Sequence, residues 1–226
     1  MPSPPPASWC SPATYRLGSK LDGLPYSQAC ENNKACILEV LERRFADAIE
    51  VLEIGAGTGQ HAVHFAAAMS WLRWQPSDLA VNLPTLRPRC ELYGGGNLLP
   101  PLALDVSARP WPVRPLPAAL FSANSLHIMP WTSVVAFFAE LGERAVAGTL
   151  LAVYGPFNYG GSYTSDSNAR FDQWLAARDP HSAIRDFEAV DSLAAGAGFA
   201  LMEDHAMPAN NRLLLWRRQH APAADS

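Results

Sequence analysis

The sequence predicts an α/β fold: an open, mostly parallel sheet of seven strands, the last one reversed, with helices on both faces. Three observations carry this. Short apolar runs alternate with longer segments of helical period from about residue 29 to residue 197. The first alternation breaks at three glycines at every second position, Gly55, Gly57 and Gly59. The chain closes with two strand-like runs joined by a short connector, which reads as an antiparallel hairpin.

Size and composition narrow the classes. A chain of 226 residues, 49% hydrophobic, has enough apolar sequence for one sizeable core. The proline-rich residues 1–10 are expected to be a disordered arm, residues 11–218 a single domain, and residues 219–226 a disordered tail. The net charge is −4, and the arginine pairs are short and far apart, so no nucleic-acid partner is expected. No apolar run approaches the ~20 residues of a membrane span. Cys10, Cys30, Cys36 and Cys90 form no C-x-x-C pair and follow no leader. Reduced thiols in a cytoplasmic protein are expected. His61 and His64 lie one helical turn apart without a spaced partner, so no metal site is expected.

The elements follow in order. Residues 9–28 look irregular. An apolar stripe of Cys36, Ile37, Val40, Leu41 and Phe45 predicts a helix over about 29–45. Residues 49–54 are a β-branched strand, followed by the glycine turn and a helix over 61–69. Glycines suit such a turn because a Cβ would block a ligand and because some positions need positive φ. The dinucleotide pattern is G-x-G-x-x-G. Here Gln60 stands where its third glycine would fall, and Glu53 ends the strand. The E-x-G-x-G-x-G pattern, Glu53 to Gly59 with Ala56 inside it, resembles the first motif of class I S-adenosylmethionine (SAM) methyltransferases.

A second strand, 72–75, runs into Pro76-Ser77-Asp78. Asp78 lies about 20 residues beyond the turn, where a ribose hydroxyl acceptor is expected; a helix N-cap is the alternative. The helical region 79–93 carries Pro84 and Pro88 and is expected to be short or broken. Strand 102–104 delivers Asp105 and Val106; the methyltransferase likeness implies that Asp105 accepts from the adenine amino group, and a turn aspartate is the alternative. Strand 118–122 ends in Asn124-Ser125-Leu126-His127. Ligands of open parallel sheets sit at such carboxyl ends. Asn124 is therefore a candidate for cofactor or acceptor, and His127 is either a catalytic base or a core histidine.

Helix 132–147 precedes strand 149–154. The polar stretch 158–168 then reads as a lid. Tyr154, Tyr163 and Asn168 are candidate acceptor contacts, as are Asn33 and Asn210 from the two Asn-Asn pairs, Asn32-Asn33 and Asn210-Asn211. Helices 171–178 and 187–197 and strands 199–205 and 212–216 complete the chain.

Taken together, these segments resemble one family, the domain-of-unknown-function family 938, also the methyltransferase-like protein 26 family. The residues that carry the likeness are Val51 to His64, Trp74-Gln75-Pro76-Ser77-Asp78, Asn124 to Trp131, Tyr154-Gly155-Pro156-Phe157 and Met207 to Asn211, with Ser11-Pro12-Ala13 and Glu31 to Lys34 upstream. The resemblance implies a Rossmann-like class I methyltransferase fold with SAM as cofactor and S-adenosylhomocysteine (SAH) as product. It places Gly55, Gly57, Gly59, Gln60, Asp78 and Asp105 on cofactor positions. It leaves the acceptor open; a small molecule is expected. A catalytically inactive SAM-binding domain that regulates a partner is the alternative. Asn32 replaces an arginine usual in the family, and Ala35-Cys36 replaces an acidic-proline pair.

Overall fold

The computed structural model describes residues 16–17 and 23–220. The expected arm, residues 11–13 and all of the expected tail beyond 220 lie outside them. A two-residue pair, β1 (Arg16–Leu17) and β2 (Pro25–Tyr26), precedes α1 (Gln28–Arg44). The body of the chain then runs β3 (Glu50–Ile54), α2 (Gln60–Ala68), β4 (Arg73–Asp78), α3 (Leu83–Tyr93), β5 (Leu102–Ala103) and β6 (Ala119–Ala123). It continues with α4 (Trp131–Arg144), β7 (Leu150–Asn158), α5 (Asp166–Arg178), β8 (Arg185–Asp186), α6 (Phe187–Gly196), β9 (Phe199–Met207) and β10 (Asn211–Arg218).

The strands lie in the order β5-β4-β3-β6-β7-β10-β9, with β8 paired to the end of β7. Pairing is parallel except at β10, which runs antiparallel to both β7 and β9. This is the predicted sheet with its reversed last strand. The chain moves outward from β3 in one direction through β4 and β5, then crosses to β6 and moves the other way. The switch point between β3 and β6 is where such sheets open a crevice at their carboxyl ends.

Strand periodicity divides the core into two layers. Leu52, Ile54, Leu120, Leu151, Val153, Leu214 and Trp216 face α4 and α6, against Phe137, Phe138, Leu141 and Val190. Their neighbours Val51, Phe121, Ala152, Leu213 and Leu215 face α1 and α2, against Ile37, Leu41, Ala62 and Phe65. Burying each such side chain contributes about 1.5–3 kcal/mol. The Ser27 hydroxyl caps α1 by accepting from the Cys30 N–H at 3.3 Å. No helix among the described residues is long and apolar enough to cross a membrane.

Two expectations are corrected. Helix α3 is not broken. Pro84 sits in its first turn, where an N–H has no partner to lose, and α3 continues through Pro88. Leu83, Leu86 and Cys90 pack it onto Ala56, which offsets the missing bond. The stretch 158–168 is not a long lid. Strand β7 runs on through Gly155 and Pro156 to Asn158, and α5 starts at Asp166 under the Ser165 cap. Pro156 opposes Asn211 of β10 on one side; on the other, pairing with β6 stops at Tyr154 and pairing with β8 begins at Phe157, so the missing N–H of Pro156 falls in a gap between partners.

One buried charge cluster ties the 105–118 connector to α4. The Glu140 carboxylate, fully buried, accepts from Trp111 N at 2.8 Å, from Arg109 Nε at 3.2 Å and from Arg144. Burial raises its pKa, but the Trp111 N–H and the two guanidiniums outweigh this and hold it below the usual range. A carboxylate shifted downward stabilises the fold above its unfolded pKa and loses that effect as pH falls. We expect Glu140→Gln to cost about 2 kcal/mol in urea unfolding at pH 7. The gap to wild type should narrow as pH falls below 4.5, the ordinary value for this group.

Candidate functional site

The β3–α2 turn is shaped by glycine. Gly55, Gly57 and Gly59 have φ of 77°, 56° and 76°, a region that side chains rarely adopt. A Cβ on Gly55 would lie 2.3 Å from Ser125 Oγ, so the β6 end closes directly on the turn. The first N–H groups of the turn are spent internally. Gly55 and Ala56 both donate to the Ser77 carbonyl at 3.0 Å, and Gly57 donates to Asp78 Oδ2 at 2.7 Å. The Asp78 Oδ1 accepts from Leu79 N and from Asn82 Nδ2. Asp78 is thus the clamp between turn and β4, and its carboxylate still borders the crevice.

That crevice is a cavity of about 520 Å³ at the switch point, within the ~300–1,000 Å³ range of small-molecule sites. Its floor is Gly55, Ala56 and Gly57 from β3, with Asn124 and Ser125 from β6. One end is formed by Asp105 and Val106 after β5, with the exposed apolar side chains of Leu79 and Val81 beside them. Asp105 spends Oδ1 on the Ser107 N–H at 2.8 Å.

A smaller cavity, about 50 Å³, shares Asn124 with the first. His127, Tyr154 and Asn33 border it, with Asn211 from β10 and Ala29 from α1. A polar chain joins the two cavities. His61, on the wall of the larger one, meets Asn33 Oδ1 through Nε2 at 2.6 Å. Asn33 and Asn211 border the small cavity together with Tyr154, whose phenol pKa burial raises well above the ordinary value. Burial and the neighbouring His64 press His61 down to about 3.

His127 is 3% exposed, packs edge-on against Phe171, and its Nε2 is buried without a partner. Burial, with the nearby Arg185 charge, lowers its pKa to about 3. The imidazole is therefore neutral at physiological pH and a weak proton acceptor. In a titration followed by NMR, its ring resonances should keep their neutral positions from pH 8 down to about 4.5, whereas an unperturbed histidine would titrate near 6.5.

Several candidates from the sequence stand elsewhere. Glu53 does not border the cavity. It is 1% exposed and accepts from the Trp74 indole N–H at 2.7 Å. Burial raises its pKa to about 8, with the Asp78 charge adding to the rise. Gln60 is consumed by α1: its Oε1 accepts from Ser27 N and Thr58 Oγ1, while its Nε2 donates to Ser27 O and Glu31 Oε1. Gly59 caps α2 and meets Leu86. Tyr163 is exposed and donates to Asp172. Asn168, fully buried, and Asn210 bind each other's segments, through Asn168 Nδ2 to Asn210 O and Asn210 Nδ2 to Ser167 Oγ. Asn32, which stands in place of the arginine usual in the family, is not among these: it borders the small cavity, and its Oδ1 accepts from Gln28 Nε2 at 2.9 Å. The sequence reading did not assign His61 or Ser125 to a ligand site, nor Ala29 or Asn211 to an acceptor contact. Among the described residues no three His, Cys, Asp or Glu side chains gather as a metal site requires.

Residues 24–218 match the family described as "Protein of unknown function (DUF938)". Among solved structures, an O-methyltransferase family protein from Burkholderia thailandensis superposes with a TM-score of 0.72 at 14% identity, over 85% of this chain and 57% of that one. The mitomycin 7-O-methyltransferase MmcR gives 0.74 at 16%, over 85% and 55%. Human N-acetylserotonin methyltransferase in complex with SAM gives 0.72 at 12%, over 85% and 53%. The chain spans somewhat more than half the length of each. The likeness at these identities is one of fold.

Proposed function

The chain belongs to the DUF938 family, and from that premise we propose that it is a SAM-dependent methyltransferase acting on a small-molecule acceptor. The observation that supports this best is the pair of cavities meeting at Asn124, one large enough for a nucleoside-sized cofactor, the other a small recess that carries amides, a phenol and an imidazole. The turn also fits this cofactor better than a dinucleotide. A pyrophosphate needs free N–H groups, and those of Gly55, Ala56 and Gly57 already serve Ser77 and Asp78.

The residues fit the group part by part. Asp105 and Val106, with Leu79 and Val81, would hold the adenine. Asp78 would take the ribose. The glycine cradle, whose space a Cβ at Gly55 would fill, would face the amino-acid part. When bound, SAM supplies an electrophilic methyl group on a positively charged sulfur. The protein's own work is orientation and exclusion of water. Asn124 stands at the junction of the two cavities. Tyr154, His127, Asn33 and Asn211 present the polar groups that would orient an acceptor.

One observation favours the alternative of a binding domain without catalysis: His127 has no carboxylate partner to make it basic. Incubation with methyl-labelled SAM and a desalted metabolite extract separates the two. Label in a small-molecule fraction is expected. SAM binding with no label transferred to any fraction would favour the binding domain.

A further inference from the structure

The small cavity beside Asn124 carries more than a general acceptor role. Three independent features gather there. Of the described residues other than glycine, those with positive φ are Asn124 (54°), Ala209 (57°) and Asn210 (56°). Two of them border this cavity and the third follows Ala209 in the chain. Each such residue costs of order 1–3 kcal/mol, and backbone strain of this kind collects at ligand sites. The second feature is the His127 Nε2, buried without a partner in the wall. The third is the lining itself: amides, one phenol, one imidazole, and the apolar groups of Ala29, Pro156, Pro208 and Phe171. No carboxylate, ammonium or guanidinium is among the side chains that border it.

Building on the methyltransferase reading, we infer that this cavity takes the reacting end of an uncharged nitrogen or sulfur nucleophile, such as an azole, a pyridine-like ring or a thioether, and not an anion or a hydroxyl compound. Size comes first. A volume of about 50 Å³, at roughly 10–15 Å³ for each water-sized occupant, admits about four non-hydrogen atoms, a small ring edge. Charge comes second. An anionic carboxylate or phosphate would enter a site with no cationic side chain on its wall, and burying an unpaired charge costs several kcal/mol. Proton accounting comes third. A hydroxyl acceptor must lose a proton, and neither titratable neighbour is equipped to keep it. Tyr154 is itself a protonated phenol, and the imidazole of His127 has no carboxylate to orient or charge it. A neutral nitrogen or sulfur needs no base. Its lone pair forms the new bond to the methyl carbon, the electron pair of the old carbon–sulfur bond stays on the departing sulfur, and the positive charge passes from sulfonium to acceptor. Charge is neither created nor annihilated, which suits a wall of fixed, uncharged dipoles.

The test is binding of small probes to the protein saturated with SAH, followed by chemical-shift changes of the His127 ring and of the Asn33, Asn124 and Asn211 amides. The probes are pyrazole, dimethyl sulfide, acetate and ethanol, at pH 7.5. Pyrazole or dimethyl sulfide should shift these resonances and bind at least tenfold more tightly than acetate or ethanol. Ala29→Leu, which fills the cavity from α1, should abolish the probe shifts while SAH still binds. Preference for acetate or ethanol, or no shift with any probe at tens of millimolar, overturns the inference. Failure of SAH to bind at all instead overturns the methyltransferase reading on which it rests.

Discussion

Gly55→Ala should reduce SAH affinity at least about 100-fold, a loss of about 2.7 kcal/mol. The new methyl group would meet Ser125 Oγ at 2.3 Å, far inside contact distance, and Gly55 holds φ of 77°. Left-handed backbone costs a residue with a side chain about 1–2 kcal/mol by itself. The clash adds to this: a rotation of the Ser125 hydroxyl relieves the Oγ contact, but Ser125 Cβ stays 3.2 Å from the new methyl group. Turn and β6 would part, and the floor shared by both cavities would go with them. Calorimetric titration with SAH reads the affinity, and urea unfolding reads a stability loss of about 3 kcal/mol. Retained affinity would show that the floor is not where the cofactor lies.

Glu53→Gln should stabilise the protein at pH 8 by up to about 4 kcal/mol, and much less at pH 5. The cause is the burial of Glu53, which outweighs its hydrogen bond from the Trp74 indole. The folded protein holds Glu53 protonated up to about pH 8, against 4.5 for an ordinary glutamate. A carboxyl group whose pKa rises on folding favours the folded state below the unfolded value. That support is lost as pH rises from 4.5 towards 8, at about 1.4 kcal/mol per pH unit. Glutamine keeps an acceptor for the Trp74 indole and cannot ionise. Unfolding of both proteins at pH 5 and pH 8 gives the difference with other titrations cancelled. An equal effect of the substitution at the two values would mean that Glu53 is ionised in the fold.

The fate of Glu53 also shows how far the sequence could be read. The order of strands and helices, the glycine turn and the reversed final strand are all written in periodicity and turn residues. Direction within a strand was equally written but went unused. Val51 and Glu53 share one face of β3 and Leu52 and Ile54 the other. The Val51 face packs on Trp74, Phe65 and Phe121. Glu53 therefore points into a core layer, although a motif places it beside the ligand. At Asn210-Asn211 the sequence shows two amides and cannot say which one faces the site. Strand pairing decides it: Asn211 opposes Pro156 in β10, while Asn210 turns towards Ser167. Gly155-Pro156 hid the continuation of β7, because proline marks a strand end unless its N–H side lacks a partner, and that is a property of neighbours far away in sequence. His61 reads as an ordinary helical residue; only folding brings Asn33 of α1 within 2.6 Å of it.

The central claim is that the larger cavity holds SAM. It is tested most directly by thermal unfolding with SAH, with SAH replaced by NAD as control. At 100 times its dissociation constant a ligand of the folded state adds about 2.7 kcal/mol. For a chain of this size that raises the midpoint by about 5–10 °C. A rise of that order with SAH and none with NAD is the predicted result. No rise with SAH, or an equal rise with NAD, would contradict the account.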